Sequence, residues 1–118
     1  MKLIIVFLTL LFAAPAFADD GIITKPSNHS VKDTISRFTA AIRSREGAGF
    51  TMFTEIDHAA AGKKAGLEMR PRTVLIFGNP KLGTPLMQSN QQIGLDLPLK
   101  VLAWEDSKGQ TWLTYEKP

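Results

Sequence analysis

The stretch Glu55-Ile56-Asp57-His58 is where proton-transfer or metal chemistry would sit, because it places two carboxylates beside an imidazole, the side chain that titrates near physiological pH. In an extended strand Glu55 and Asp57 share one face and His58 points to the other, so His58 pairs with Asp57 only if the strand breaks there. Two readings follow. His58 is a metal or haem ligand, or an acid/base group, with Glu55 or Asp57 as its orienting carboxylate. Alternatively it is a capping or sheet-edge histidine bonded to backbone, the ordinary fate of one histidine among scattered carboxylates. The catalytic candidates are therefore His58, Asp57 and Glu55, and His58 is the metal candidate; no cofactor is identified. His29, in a Ser/Asn turn, reads as exposed.

A second constellation lies between Thr73 and Asn90, where the apolar run Val74 to Phe77 breaks at Gly78-Asn79-Pro80 and restarts at Gly83-Thr84-Pro85. This pattern predicts a buried strand, a tight loop and a new helix, with Thr84 as N-cap and Pro85 in the first helical position. Free amides at a helix start attract anions, so Gly78, Asn79, Lys81, Gly83 and Thr84 are the candidate ligand-binding residues, with Lys81 supplying positive charge. The alternative is that the glycines and Pro80 only punctuate a turn. The loop is not a nucleotide P-loop, since Thr84-Pro85 follow Gly83 where Lys then Ser/Thr are required.

The remaining polar residues carry weaker signals. Arg70 and Arg72 flank Pro71 at the opposite end of the same strand and read as surface charge. No G-x-S-x-G surrounds any serine, and the two histidines fit neither a triad nor H-E-x-x-H, so hydrolase readings are weak. Trp104 and Trp112 fall on facing strands, where aromatic packing is the ordinary explanation.

Composition narrows the setting. Met1-Lys2, the apolar run Leu3 to Phe12 and Ala16-Phe17-Ala18 have the form of a secretory signal peptide over residues 1–18, too short to anchor the chain in a membrane after cleavage. Removing 18 of the 118 residues leaves 100, residues 19–118, enough for a single domain. Lys2 leaves with the signal, so the 14 basic residues become 13 against 11 acidic, a net charge of +2. The charges are interspersed, which argues against nucleic-acid binding. With no cysteine, thiol chemistry, Cys-ligated zinc and disulfide staples are excluded. A periplasmic or secreted protein is expected.

These residues must be positioned by a small set of elements. Gly21 to Lys25 reads as a first strand, and Ser30 caps a helix whose apolar stripe is Val31, Ile35, Phe38 and Ile42, closed by Gly47 or Gly49. Phe50 to His58 alternates as a strand burying Phe50, Met52, Thr54 and Ile56 on one face. A second helix covers Ala59 to Gly66. Two strands close the chain, Lys100 to Glu105 and Thr111 to Glu116, as a hairpin turned at Gly109. The order βαβαβαββ predicts an α+β two-layer sandwich with a mixed sheet and a C-terminal β-hairpin. The connector Gln91 to Leu99 is too apolar for a free loop, with Ile93, Leu95, Leu97 and Leu99, and is expected to form or edge a dimer interface.

Six blocks in this order, Ser30-Val31-Lys32-Asp33-Thr34, Glu55-Ile56-Asp57-His58-Ala59, Phe77-Gly78-Asn79-Pro80, Gly83-Thr84-Pro85-Leu86-Met87, Asp96-Leu97-Pro98-Leu99-Lys100 and Trp104-Glu105-Asp106, resemble the family called domain of unknown function 302. The resemblance runs from Gly21 to Lys117. It implies a compact α+β domain, usually alone in its chain and commonly a homodimer, and it brings no reaction. The expected function is a homodimeric module that binds a small, possibly anionic, molecule at the 78–84 loop; the alternative is a metal- or haem-associated or acid/base enzyme centred on His58.

Overall fold

A helix laid across a sheet that pairs the first strand with the last is the frame of this molecule. The computed structural model describes residues 21–117; the signal-peptide reading of residues 1–18 falls outside them. The elements are β1 (Ile22–Ser27), α1 (Val31–Arg43), β2 (Thr51–Asp57), α2 (His58–Lys64), β3 (Arg72–Gly78), α3 (Pro80–Ser89), β4 (Leu99–Glu105) and β5 (Thr111–Glu116). Short 3₁₀ turns at Glu46–Ala48 and Gln91–Leu95 precede β2 and β4.

The α+β class and the βαβαβαββ order are as expected, but the sheet is not mixed. Its five strands run in the order β1-β5-β4-β3-β2, and every neighbouring pair is antiparallel. The physical reason lies in the connections. The links from β2 to β3 and from β3 to β4 return the chain to the adjacent strand at the same end of the sheet, so each makes an antiparallel neighbour. The α1 crossover does leave β1 and β2 pointing the same way, yet it carries the chain from one edge to the other, and the two never pair.

Helix α1 starts where Ser30 accepts a hydrogen bond from the Asp33 amide at 3.0 Å. Its apolar stripe packs as the spacing predicts: Val31, Ile35 and Ile42 are buried, and Phe38 meets Phe77 edge to face at 5.4 Å. It lies over β2, β3 and β4. Beneath it Leu75, Val101 and Ala103 form the sheet side of the core, with Leu75 fully buried. The helix ends earlier than expected, at Arg43, because the Ser44 hydroxyl donates to the Ala41 carbonyl at 2.6 Å and helps close the last turn. Gly49, with φ +100°, instead ends the following 3₁₀ turn.

Strand β2 departs from simple alternation. A bulge falls between Met52 and Thr54, so Met52 pairs with Phe77 while Glu55 pairs with Leu75 and Asp57 with Thr73. Leu75, Phe77 and Thr73 face α1. Met52, Glu55 and Asp57 therefore share the helix side of the sheet, and Thr54 and Ile56, expected to be buried, are exposed on the other side. That other side carries Val74, Ile76, Leu102, Trp104 and Trp112, half-buried and, among the described residues, without a helix laid across them as α1 is. The two tryptophans stack there at 6.4 Å and do not enter the core under α1.

Candidate functional site

The 78–84 segment is built by close packing. A Cβ on Gly78 would stand 3.1 Å from the Phe53 ring, so only glycine lets the strand end pass beneath it without displacement. Asn79, not Thr84, caps α3: its Oδ1 accepts from the Lys81 amide at 3.1 Å and its Nδ2 donates to the Ala48 carbonyl at 3.0 Å. Pro80, not Pro85, takes the first helical position, and Pro85 lies inside the helix. The cap falls at Asn79 because the strand ends there and the helix starts at once, with no room for a longer loop.

The chemistry of that helix start follows from its hydrogen bonds. Pro80 has no N–H, the Lys81 amide is taken by the Asn79 side chain, and the amides of Leu82 and Gly83 go to the Asn79 carbonyl at 3.0 and 2.7 Å. The donors that would hold an anion are engaged within the helix's own first turn. Gly78, Asn79, Lys81, Gly83 and Thr84 are brought together, but as a joint that ties α3 to the 3₁₀ turn after α1. Lys81 and Thr84 remain exposed.

The acidic candidates separate from the histidine. Asp57 caps α2, its Oδ1 accepting from the Ala60 amide at 2.9 Å, and His58 is the exposed first residue of that helix. The break in the strand that pairing required is present, yet it sends His58 into α2. Among the described residues no three His, Asp or Glu side chains gather as a metal site. Arg70 reaches Glu105 at 3.5 Å.

A concavity lies elsewhere, along α1 where it overhangs the β2 edge. It is an open groove of about 1150 Å³. Lys32 and Arg43 line it from the helix, and Glu55, Asp57 and Glu105 from the sheet. Thr39 lines it as well, and its hydroxyl oxygen is buried with no hydrogen-bond partner among the described residues. A buried hydroxyl without a partner costs free energy. Glu55 and Asp57 thus line the groove, and His58 is not among its lining residues. Lys32, Thr39 and Arg43 escaped the sequence reading, although Lys32, Ser36, Thr39 and Arg43 repeat the 4-3-4 spacing of the apolar stripe one residue further on. A second stripe so close to the first borders the helix contact, with Thr39 half-buried and Lys32, Ser36 and Arg43 exposed.

A two-layer α+β domain with one grooved helix edge is the class that fold and site define. The chain belongs to the family described as Domain of unknown function DUF302, whose profile matches residues 23–118. It is similar to proteins named Fluoride-specific ion channel FluC 1 in Brucella suis biovar 1 (strain 1330) and Brucella abortus biovar 1 (strain 9-941). Each is 49% identical over 100 residues, which is 85% of this chain but 38% and 36% of those proteins. The chain thus spans little more than a third of these relatives. It also resembles the crystal structure of an uncharacterized conserved DUF302 protein from Bacillus stearothermophilus, with TM-score 0.70 and 22% identity over 82% of this chain and 73% of that one.

Proposed function

We propose that this DUF302 protein is an exported small-ligand-binding module whose ligand sits in the groove between α1 and the β2 edge. The observation that carries the reading is the Thr39 hydroxyl, buried without a partner in the wall of a groove large enough for a small molecule. The 78–84 loop, with its amides engaged, serves as the joint that holds α1 and α3 in register. A thermal-shift screen of the intact protein tests the proposal. A ligand present at a hundredfold excess over its Kd adds about 2.7 kcal/mol of stability, and that shift should vanish in Thr39→Val and Arg43→Gln. A shift that survives both substitutions places the ligand outside the groove.

A second reading is favoured by one comparison. Proteins named as fluoride channels contain a stretch 49% identical to 100 residues of this chain, and no helix among the described residues is long and apolar enough to cross a membrane. On this reading the domain is a membrane-facing companion of a fluoride channel and not its conducting part. Deleting its gene should then alter growth in millimolar fluoride; unchanged growth argues against the link.

A further inference from the structure

The charges around the groove are balanced across it, and the balance specifies a class of ligand; this inference rests on the groove being a binding site. Glu105 is engaged by Arg70 at 3.5 Å. That leaves Glu55 and Asp57 on the sheet wall facing Lys32 and Arg43 on the helix wall, two against two, with no ion pair across the groove among the described residues. A ligand of one sign would satisfy one wall and set its charge against the like charges of the other, a repulsion that water screens in part, since all four side chains are exposed. A dipolar ligand serves both. We propose that the groove binds small zwitterions of the peptide type, free amino acids or short peptides, with the ammonium held by Glu55 and Asp57 and the carboxylate by Arg43 and the Thr39 hydroxyl.

The spacing of the walls fits that chemistry. Glu55 and Asp57 lie two residues apart on one face of a strand, about 7 Å, close enough to share one ammonium group. Guanidinium presents its donors as a planar fork that matches a carboxylate, and a threonine hydroxyl beside it supplies one further donor. Val31, Ile35 and Pro71 line the same groove, and Pro71, the exposed one of the three, offers apolar surface for a side chain.

The test is a calorimetric titration of the intact protein with five probes: alanyl-alanine, its N-acetyl form, its C-terminal amide, putrescine and succinate. Free alanine and tetra-alanine as additional arms separate amino acids from peptides. The zwitterionic dipeptide should bind at least tenfold more tightly than either blocked form. Arg43→Gln should remove its advantage over the C-terminal amide, and Glu55→Gln its advantage over the N-acetyl form. Putrescine or succinate binding as tightly as the dipeptide, with loss in the Thr39→Val variant, overturns the zwitterion assignment while keeping the groove as a ligand site. Dipeptide binding untouched by all three substitutions overturns the assignment and the groove together. If none of the probes binds at millimolar concentration the assignment fails, and the wider thermal-shift screen alone then judges the groove.

Discussion

Asp106 organises the hairpin turn through one carboxylate. Its Oδ1 accepts from the amides of Lys108 at 2.8 Å and Gln110 at 3.0 Å, and its Oδ2 from Trp112 Nε1 at 2.9 Å. The Trp112 bond, followed by the Gln110 amide, holds this acid below its ordinary value. Because the folded form favours the ionised carboxylate, the contribution is fully present above the unfolded value of about 3.9 and is lost as pH falls from there through the lowered folded value. The difference in melting temperature between the natural protein and Asp106→Asn should therefore be constant from pH 7 to about 5 and shrink below about 4. A difference unchanged down to pH 2.5 would refute this. Gly49 gives a second prediction at the same scale. With φ +100° and an ideal Cβ only 2.6 Å from Asn79 Oδ1, Gly49→Ala strains the backbone and pushes on the α3 cap. A loss of about 1–3 kcal/mol is expected by chemical denaturation.

Among the elements, α3 is the one assembled against its own propensity. It spans ten residues and contains Pro85 in its interior, where proline removes the hydrogen bond to the carbonyl four residues back and crowds that turn. Leu82 and Leu86 on it are exposed, so tertiary packing compensates little. Pro85→Ala should stabilise the protein, by about 1–2 kcal/mol once the greater freedom of the unfolded chain is subtracted from the recovered helix energy. Unchanged or lowered stability would mean that Pro85 makes a packing contribution larger than the lost hydrogen bond. β2 shows the reverse situation, a good strand former whose bulge swaps the two faces and so delivers Glu55 and Asp57 to the groove.

At the scale of the whole molecule, α3 and the 3₁₀ turn after it form an apolar projection. Ile93 and Leu97 are half-buried, and Gly83 and Gly94 lie close to Leu97 and Met87, so this part of the connector packs on its own helix. Leu95 is 91% exposed, and Leu82, Leu86 and Leu99 are exposed with it. We propose that a second copy covers these leucines, the homodimer expected from the connector's composition. The double substitution Leu82→Ser, Leu95→Ser should then leave a folded monomer by sedimentation at micromolar concentration, with the natural protein sedimenting as a dimer. A natural protein that sediments as a monomer refutes it outright.

Much of this architecture was legible in the chain because periodicity is a local property. The Val31, Ile35, Phe38, Ile42 stripe fixed α1 and its buried side, the apolar run before Gly78 fixed the central strand, and Gly109 fixed the hairpin. The DUF302 resemblance added the identity of the fold. Three things were decided only by tertiary structure. Strand order depends on which edge a crossover reaches, and no residue pattern in α1 records that distance. The bulge at β2 falls where Phe53 lies against Gly78, and beyond it Thr54 and Ile56 take the opposite face from the one expected, while Phe50 and Met52 keep theirs. The groove is proposed in place of the 78–84 loop because the amides of a helix start are available only if no side chain caps them. Asn79 does so here, whereas Thr39, an unremarkable helix residue in sequence, has a buried hydroxyl without a hydrogen-bond partner among the described residues.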